Sequence, residues 1–343
     1  MKKVMVALSG GVDSAVTAAL LMEQGYEVVG VYMRLLSGPE HADCDHDARQ
    51  VAQELGIEFH SLDCRNEFNR VIVQNFCTEY LHGRTPNPCV LCNRHMKFGY
   101  LLQVADELGA DFLATGHYAC IDRSGDYPVL RRGCDRKKDQ SYFLFTLTTE
   151  QLERVLFPLA DTSKEQVQKI AQKINLSARH KAESQDICFI PDNDYVRFLE
   201  GQSLSLPQGG DIVHVNGQVL GRHRGTYRYT IGQRKGLGIG WREPLYVVAI
   251  DVEKKQVVVG EKQHLETTEL FVGDVVWSQP IKVEQLRVDC RIRYRHSESM
   301  STLYIEGDNG VRVVFDHPQI GVTPGQSAVF YQDDAVVGGG WIR

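Results

Sequence analysis

Two short strings in this 343-residue chain carry residue types and spacings that could do chemistry. The first, Ser9-Gly10-Gly11-Val12-Asp13-Ser14, directly follows the apolar run Val4 to Leu8. Paired glycines let the backbone turn tightly and bring its N–H groups to an anion. The start of a following helix adds partial positive charge, and two serine hydroxyls add donors. The result is a phosphate cradle without the lysine of the usual nucleoside-triphosphate loop. It suits a released pyrophosphate better than a γ-phosphate in transfer. Phosphates would repel Asp13 unless Mg²⁺ stood between them, which makes Asp13 the candidate metal contact. An ordinary strand-to-helix turn is the plainer reading, but six such residues directly after a buried strand favour the cradle.

The second string is Gly83-Arg84-Thr85-Pro86-Asn87-Pro88-Cys89-Val90-Leu91-Cys92-Asn93. Two prolines are expected to hold it extended, and Cys89 and Cys92 follow at C-x-x-C spacing. By itself that spacing fits half a zinc site, a redox pair or coincidence. No second C-x-x-C exists in the chain, which argues against a zinc ribbon. Cys188, within Glu183-Ser184-Gln185-Asp186-Ile187-Cys188-Phe189-Ile190-Pro191, would alone be read as inert packing. Nine cysteines, an odd number spread over the chain, make a poor disulfide framework.

Alternating strands and helices must position these strings. Val4–Leu8 is continuously apolar, as a parallel strand covered on both faces should be. Asp13 to Gln24 places Ala15, Val16, Ala19 and Leu20 at helical spacing, and Gly25 ends it. The pattern repeats: strand Val28–Tyr32, helix Asp45–Leu55 with Gly56, strand Ile57–Leu62, helix Leu101–Leu108 with Gly109, strand Phe112–Thr115. Another helix is predicted over Lys164–Ile174, with Ser163 and Gln166 spaced as a capping box. Met33, past the second strand, stands where an adenine would lie in such a sheet, or is core packing.

This is an α/β chain with a doubly wound parallel-sheet nucleotide-binding domain over residues 1–200. Helical periodicity then disappears, and glycines punctuate runs such as Tyr246–Ile250 and Gln256–Val259. Leu303–Glu306 and Val311–Phe315 flank Gly307-Asp308-Asn309-Gly310, a hairpin signal. Residues 201–265 are expected to form a small β-rich linker domain, and 266–343 a C-terminal β-barrel.

With 43% hydrophobic and 24% charged residues the composition is globular, and the length predicts two or three domains. No stretch reaches the roughly 18 apolar residues of a membrane span. The apolar run at the N-terminus breaks too early for a signal peptide, so a cytoplasmic location is expected. A net charge of −6 excludes a uniformly basic protein, but local patches still allow nucleic acid. Three basic stretches qualify: Arg131 to Lys138; Arg222, Arg224, Arg228, Arg234 and Lys235; and Arg291, Arg293 and Arg295 around Tyr294. Alternation would put the last three arginines on one strand face.

The strings occur in a fixed order with Lys97-Phe98, Gly116-His117-Tyr118, Lys138-Asp139-Gln140-Ser141, Thr230 to Gly236 and Thr323-Pro324-Gly325-Gln326. Together they resemble, nearly end to end, the bacterial tRNA-specific 2-thiouridylase family, which makes 2-thiouridine at the wobble position. Its loop is similar to that of other adenylating ATP pyrophosphatases, such as argininosuccinate synthetase and GMP synthetase. The resemblance implies that Cys92 is the nucleophile and that Cys188 carries a persulfide. It places ATP against Ala7, Leu8, Ser9, Gly10, Gly11, Val12, Asp13, Ser14, Met33 and Gly116. It sets Asn87, Pro88 and Cys89 against the target base, and His117, Lys138, Asp139, Gln140, Arg293, Tyr294 and Gln326 against tRNA. The implied partners are tRNA and a persulfide donor (a cysteine desulfurase or sulfur-relay protein), with no DNA and no membrane.

Many members of that family carry aspartate where this chain has Cys89. A third thiol opens a second route, in which Cys89, Cys92 and Cys188 hold three irons of a [4Fe–4S] cluster. The persulfide route instead ends in a Cys92–Cys188 disulfide. Two rivals remain: an adenylating ligase for a small metabolite, which needs no basic β-rich C-terminus, and a non-catalytic RNA- or metal-binding module, which needs no phosphate loop.

Overall fold

The computed structural model describes residues 1–38, 43–180, 187–190, 192–279, 281–307 and 310–343. The stretch Glu183–Asp186, Pro191 and the predicted turn residues Asp308 and Asn309 lie outside the described residues.

The first sheet contains β1 (Lys3–Ala7), β2 (Glu27–Arg34), β3 (Glu58–Asp63) and β4 (Phe112–Ala114). After a hairpin of β5 (Ala119–Asp122) and β6 (Val129–Arg132) it gains β7 (Val155–Leu156). Its order is β3-β2-β1-β4-β7, with every pairing parallel. Val4, Met5 and Val6 of β1 are fully buried because helices cover both faces. The strand order reverses between β1 and β4, so a crevice opens beyond their carboxyl ends, where such sheets take ligands. The helices Val12–Glu23, His46–Leu55 and Lys164–Lys173 fall where the periodicity put them. The last carries both halves of its capping box, between Ser163 and Gln166.

The cysteine string departs from the extended reading. Pro88 opens a short helix, Pro88–Leu91, which continues as a wider π-helical stretch, Cys92–Tyr100, into the helix Leu101–Glu107. Proline's fixed φ and missing N–H suit the first helical position, so the extended segment ends at Asn87. Cys89 and Cys92 therefore lie three residues apart on one helical face.

The linker sheet joins β8 (Gly210–His214), β9 (Val219–His223), β10 (Tyr246–Asp251) and β11 (Gln256–Gly260) in the order β10-β11-β8-β9. The C-terminal part is a barrel of β12 (Glu266–Trp277), β13 (Gln285–Arg291), β14 (Ser299–Glu306), β15 (Gly310–Ile320), β16 (Ser327–Gln332) and β17 (Ala335–Ile342), closed by pairing of β12 with β17. Here β13 ends at Arg291, and residues 292–296 bend and turn, so the three arginines do not share a strand face. The β5–β6 hairpin adds to the barrel through Arg131 and Ala335. Val329, Tyr331 and Val336 of the barrel also share one hydrophobic core with Met5, Val31, Leu113 and Phe145.

Candidate active site

The loop after β1 is tied to itself. Ser9 N donates to Ser14 Oγ at 3.1 Å, Gly11 N to Ser9 Oγ at 3.3 Å, and Ser14 Oγ to Gly11 O at 3.0 Å. Gly10 has φ +72°, and a Cβ there would stand 2.7 Å from Asp47 Cβ, so only glycine lets the loop meet the neighbouring helix. Across the crevice, a Cβ on Gly116 would come within 2.9–3.0 Å of the Asp13–Ser14 backbone. Gly116 thus lets the end of β4 close on the loop after β1, bringing Ala7 to Ser14 and Gly116 into one cradle. Met33 is partly buried and packs against the sheet core and the cluster beneath the cysteines.

The loop has a lysine after all, supplied from far along the chain. Lys164 Nζ lies 2.7 and 2.8 Å from the two Asp13 carboxylate oxygens, and the Tyr118 hydroxyl donates to Asp13 Oδ1 at 2.7 Å. Only its place at the start of a capped helix marked Lys164, and no spacing could connect it to Asp13. Lys164 and Tyr118 thus engage both Asp13 oxygens, and a lysine carries positive charge at the cradle's mouth.

Cys89 and Cys188 reach solvent and Cys92 is half-buried; all three are free thiols. Cys188 is anchored by its neighbour Phe189, whose ring packs edge-on against Phe76 at 5.2 Å and Phe68 at 5.8 Å. Protein nevertheless surrounds the thiols. Burial pushes Cys92 up to about 12, against Lys97, with Cys188 and Cys89 adding to the rise. Burial and then Cys89 push Cys188 up to about 11, again against Lys97, and burial raises Cys89 against the same lysine. All three are therefore protonated in the resting cleft at neutral pH.

Lys97 is thus the opposing charge common to the three thiols. It stands five residues after Cys92 in the π-helical stretch, whose i→i+5 hydrogen-bond register stacks it over that cysteine. Its Nζ lies 3.4 Å from His117 Nε2, while His117 Nδ1 is 2.7 Å from Thr115 Oγ1. Burial and then Lys97 hold His117 well below its ordinary value, so the ring is neutral. It accepts from Lys97 at Nε2 and donates to Thr115 from Nδ1.

Asn87 and Pro88 are buried beside Cys89. The Tyr142 hydroxyl, beside Asn87, donates to Ser327 O at 2.9 Å. Gln326 Nε2 donates to Thr85 O and Pro86 O. Among the residues expected against tRNA, His117 and Asp139 are buried, which removes their side chains from an RNA-facing role. Asp139 accepts from Gly133 N, Ser141 N and Ser141 Oγ and faces Arg291, and burial raises its carboxyl nonetheless. Lys138, Gln140 and Tyr294 are partly exposed, and Arg293 is exposed. Much of the basic charge is spent internally: Arg131 pairs with Asp122, Arg132 with Glu298, Arg136 with Asp334, and Arg228 with Glu200.

Family models match in succession: a tRNA methyl transferase HUP domain over residues 2–192, a tRNA methyl transferase PRC-barrel domain over 198–261, and an aminomethyltransferase beta-barrel domain over 267–342. The chain is 56% identical to the tRNA-specific 2-thiouridylase MnmA of Syntrophotalea carbinolica, over 99% of this chain and 98% of that one. It is 51% identical to the same-named protein of Geobacter metallireducens, over 99% and 96%. The chain belongs to the tRNA-specific 2-thiouridylase family. Among solved structures, a 4-thiouridine synthetase–RNA complex with bound ATP is similar at 19% identity and a TM-score of 0.39, over 58% of this chain and 50% of that one. The U34-tRNA thiolase NcsA of Methanococcus maripaludis with its [4Fe–4S] cluster is similar at 22% and 0.37, over 60% and 74%.

Cys89, Cys92 and Cys188 have the right donor chemistry for an iron–sulfur cluster. As they stand they are too far apart: no group of three or more His, Cys, Asp or Glu side chains among the described residues is gathered tightly enough to hold a metal. No helix among the described residues is long and apolar enough to cross a membrane.

Proposed function

We propose that this protein 2-thiolates the wobble uridine, position 34, of tRNA at the expense of ATP, releasing AMP and pyrophosphate. The observation that carries the reading is the phosphate cradle facing, across His117 and Lys97, a cleft with three thiols. In this reading the cradle from Ala7 to Ser14, with Gly116, holds the phosphates, and Met33 lies against the adenine. Mg²⁺ enters as the counter-ion of ATP. The uracil C2 oxygen attacks the α-phosphorus and expels pyrophosphate, which turns a poor leaving group into AMP.

The terminal sulfur of a Cys188 persulfide then attacks C2, and AMP leaves with the former carbonyl oxygen. Cys92 attacks the Cys188 sulfur, breaks the S–S bond and frees the C2=S product. A Cys92–Cys188 disulfide remains, which an external thiol reduces. Protonated resting thiols favour this order, because a persulfide is a stronger acid than the thiol it replaces and is the species ready to attack. Asn87, Pro88 and Cys89 flank the base, which must be extruded to reach the cleft. Lys138, Gln140, Arg293, Tyr294 and Gln326 are the proposed RNA contacts. A cysteine desulfurase or relay protein supplies the persulfide.

Residues 1–200 form the catalytic part, 201–265 the linker and 266–343 the barrel in this reading, supported by the spans of the family models. The enzyme works in the cytoplasm, where its RNA is. The test is mass spectrometry of tRNA nucleosides from a deletion strain, with purified protein, ATP and a persulfide donor restoring the modification in vitro. Loss of 2-thiouridine on deletion is expected; unchanged 2-thiouridine would sink the reading. Full activity from iron-free protein would exclude an obligatory cluster on Cys89, Cys92 and Cys188.

A further inference from the structure

Gln326 belongs to a turn between β15 and β16, more than two hundred residues from the cysteine string. Its amide nitrogen gives one N–H to Thr85 O at 3.0 Å and the other to Pro86 O at 3.1 Å. Beside it, Thr85 N donates to Pro324 O at 2.9 Å. Gly325, with φ +90°, sits so close that a Cβ would come 2.8 Å from the Thr85 carbonyl oxygen. Ser327 O accepts from the Tyr142 hydroxyl, which stands beside Asn87. The barrel turn therefore grips Thr85 and Pro86, which lead through Asn87 straight into the cysteine-bearing helix.

The sequence explains why a side chain is needed. Pro86 and Pro88 have no N–H, so this segment cannot enter a regular strand ladder, and its partly buried carbonyls need another donor. A glutamine amide, with two N–H groups on one nitrogen, satisfies two successive carbonyls at once.

We propose that Gln326 is a positioning residue for the thiolation: it fixes Thr85 and Pro86, and through them the placement of Asn87, Cys89 and Cys92. The barrel is then one wall of the reaction cleft as well as a platform for RNA. This inference rests on the proposed function for its reaction, but its effect on the cysteine segment can be read without any reaction. Gln326→Glu keeps the shape, removes both donors and sets a carboxylate against two carbonyls. Gly325→Ala forces the same contact apart without touching the amide.

Hydrogen–deuterium exchange over residues 85–92 and alkylation of Cys89, both on the full-length protein, should be several-fold faster in each variant, with the melting transition retained. Single-turnover thiolation at saturating tRNA should fall on the order of 10- to 100-fold, because ångström-scale misplacement is that costly. Saturating tRNA keeps any change in Kd out of that readout, since Gln326 is also a proposed RNA contact. A raised Kd with unchanged turnover at saturation would leave Gln326 as an RNA contact alone and overturn the proposal. Unchanged exchange and alkylation would overturn it too. If wild-type protein thiolates no RNA, the proposed function fails, while exchange and alkylation still decide whether the grip exists.

Discussion

The phosphate cradle and the cysteine cleft face each other across His117, yet they are assembled in different ways. The cradle comes almost wholly from residues 7–14, closed by hydrogen bonds among its own serines and backbone. The cleft draws on the string 85–97, the segment 187–190, His117 after β4, and the barrel turn 323–327. A site made from one stretch is fixed as soon as its strand and helix form. A site made from four pieces exists only when the sheet domain and the barrel are packed together. Damage to the cradle should therefore stay local, whereas the cleft should respond to changes far away in sequence.

The severest test of that contrast is Cys92→Ser. Thiolation should fall by on the order of a thousandfold or more, as when a nucleophile is removed, while tRNA-dependent ATP–pyrophosphate exchange persists. Loss of exchange as well would mean the two sites are not separable. Lys164→Met comes next, because this lysine reaches Asp13 of the cradle from far along the chain. Exchange should drop roughly 10- to 100-fold as the positive charge at the loop's mouth is lost, with tRNA affinity unchanged in a filter-binding assay. An effect below twofold would show that the loop is self-sufficient.

Lys97→Met probes the charge inside the cleft. The lysine opposes the upward push of burial on Cys89, Cys92 and Cys188, so its removal must raise all three thiols further. A rise lowers the thiolate fraction by the same factor as the acid constant at any pH below the thiol's own value. Alkylation of Cys92 at pH 8.5, followed by mass spectrometry, should slow by that factor, and Lys97→Arg should restore it. An unaltered rate would place the lysine beyond reach of the thiol. The smallest effect is expected at the rim: Arg293→Ala should weaken tRNA binding by about 1 kcal/mol and flatten its salt dependence by roughly one phosphate contact. An unchanged slope would remove Arg293 from the RNA backbone.

What could be read from the sequence follows the same division. The cradle, the alternating elements around it and the capped helix at Lys164 are local patterns, and each lies where spacing put it. The fold class followed, because repeated strand–helix units leave few other arrangements. The cysteine string was located correctly but shaped wrongly, since Pro88 starts a helix instead of prolonging an extended segment. Lys97 was in view as part of a motif, but its task depends on a π-helical register and on a buried histidine twenty residues away. The basic runs misled for a related reason. Composition counts charges, and only the folded chain shows that Arg131, Arg132, Arg136, Arg228 and Arg291 face carboxylates.

The β5–β6 hairpin has a consequence for how the chain is made. Its outer edge is covered by Ala335 of the last strand, about two hundred residues downstream of Arg131. At a synthesis rate of roughly 5–20 residues per second, that edge stays uncovered on the ribosome for about 10–40 s. Until then Leu130 lacks Val336, its companion in the mature core. The growing chain therefore carries an open strand edge through most of its translation, and Arg132 beside it keeps its charge unmatched until Glu298 is made.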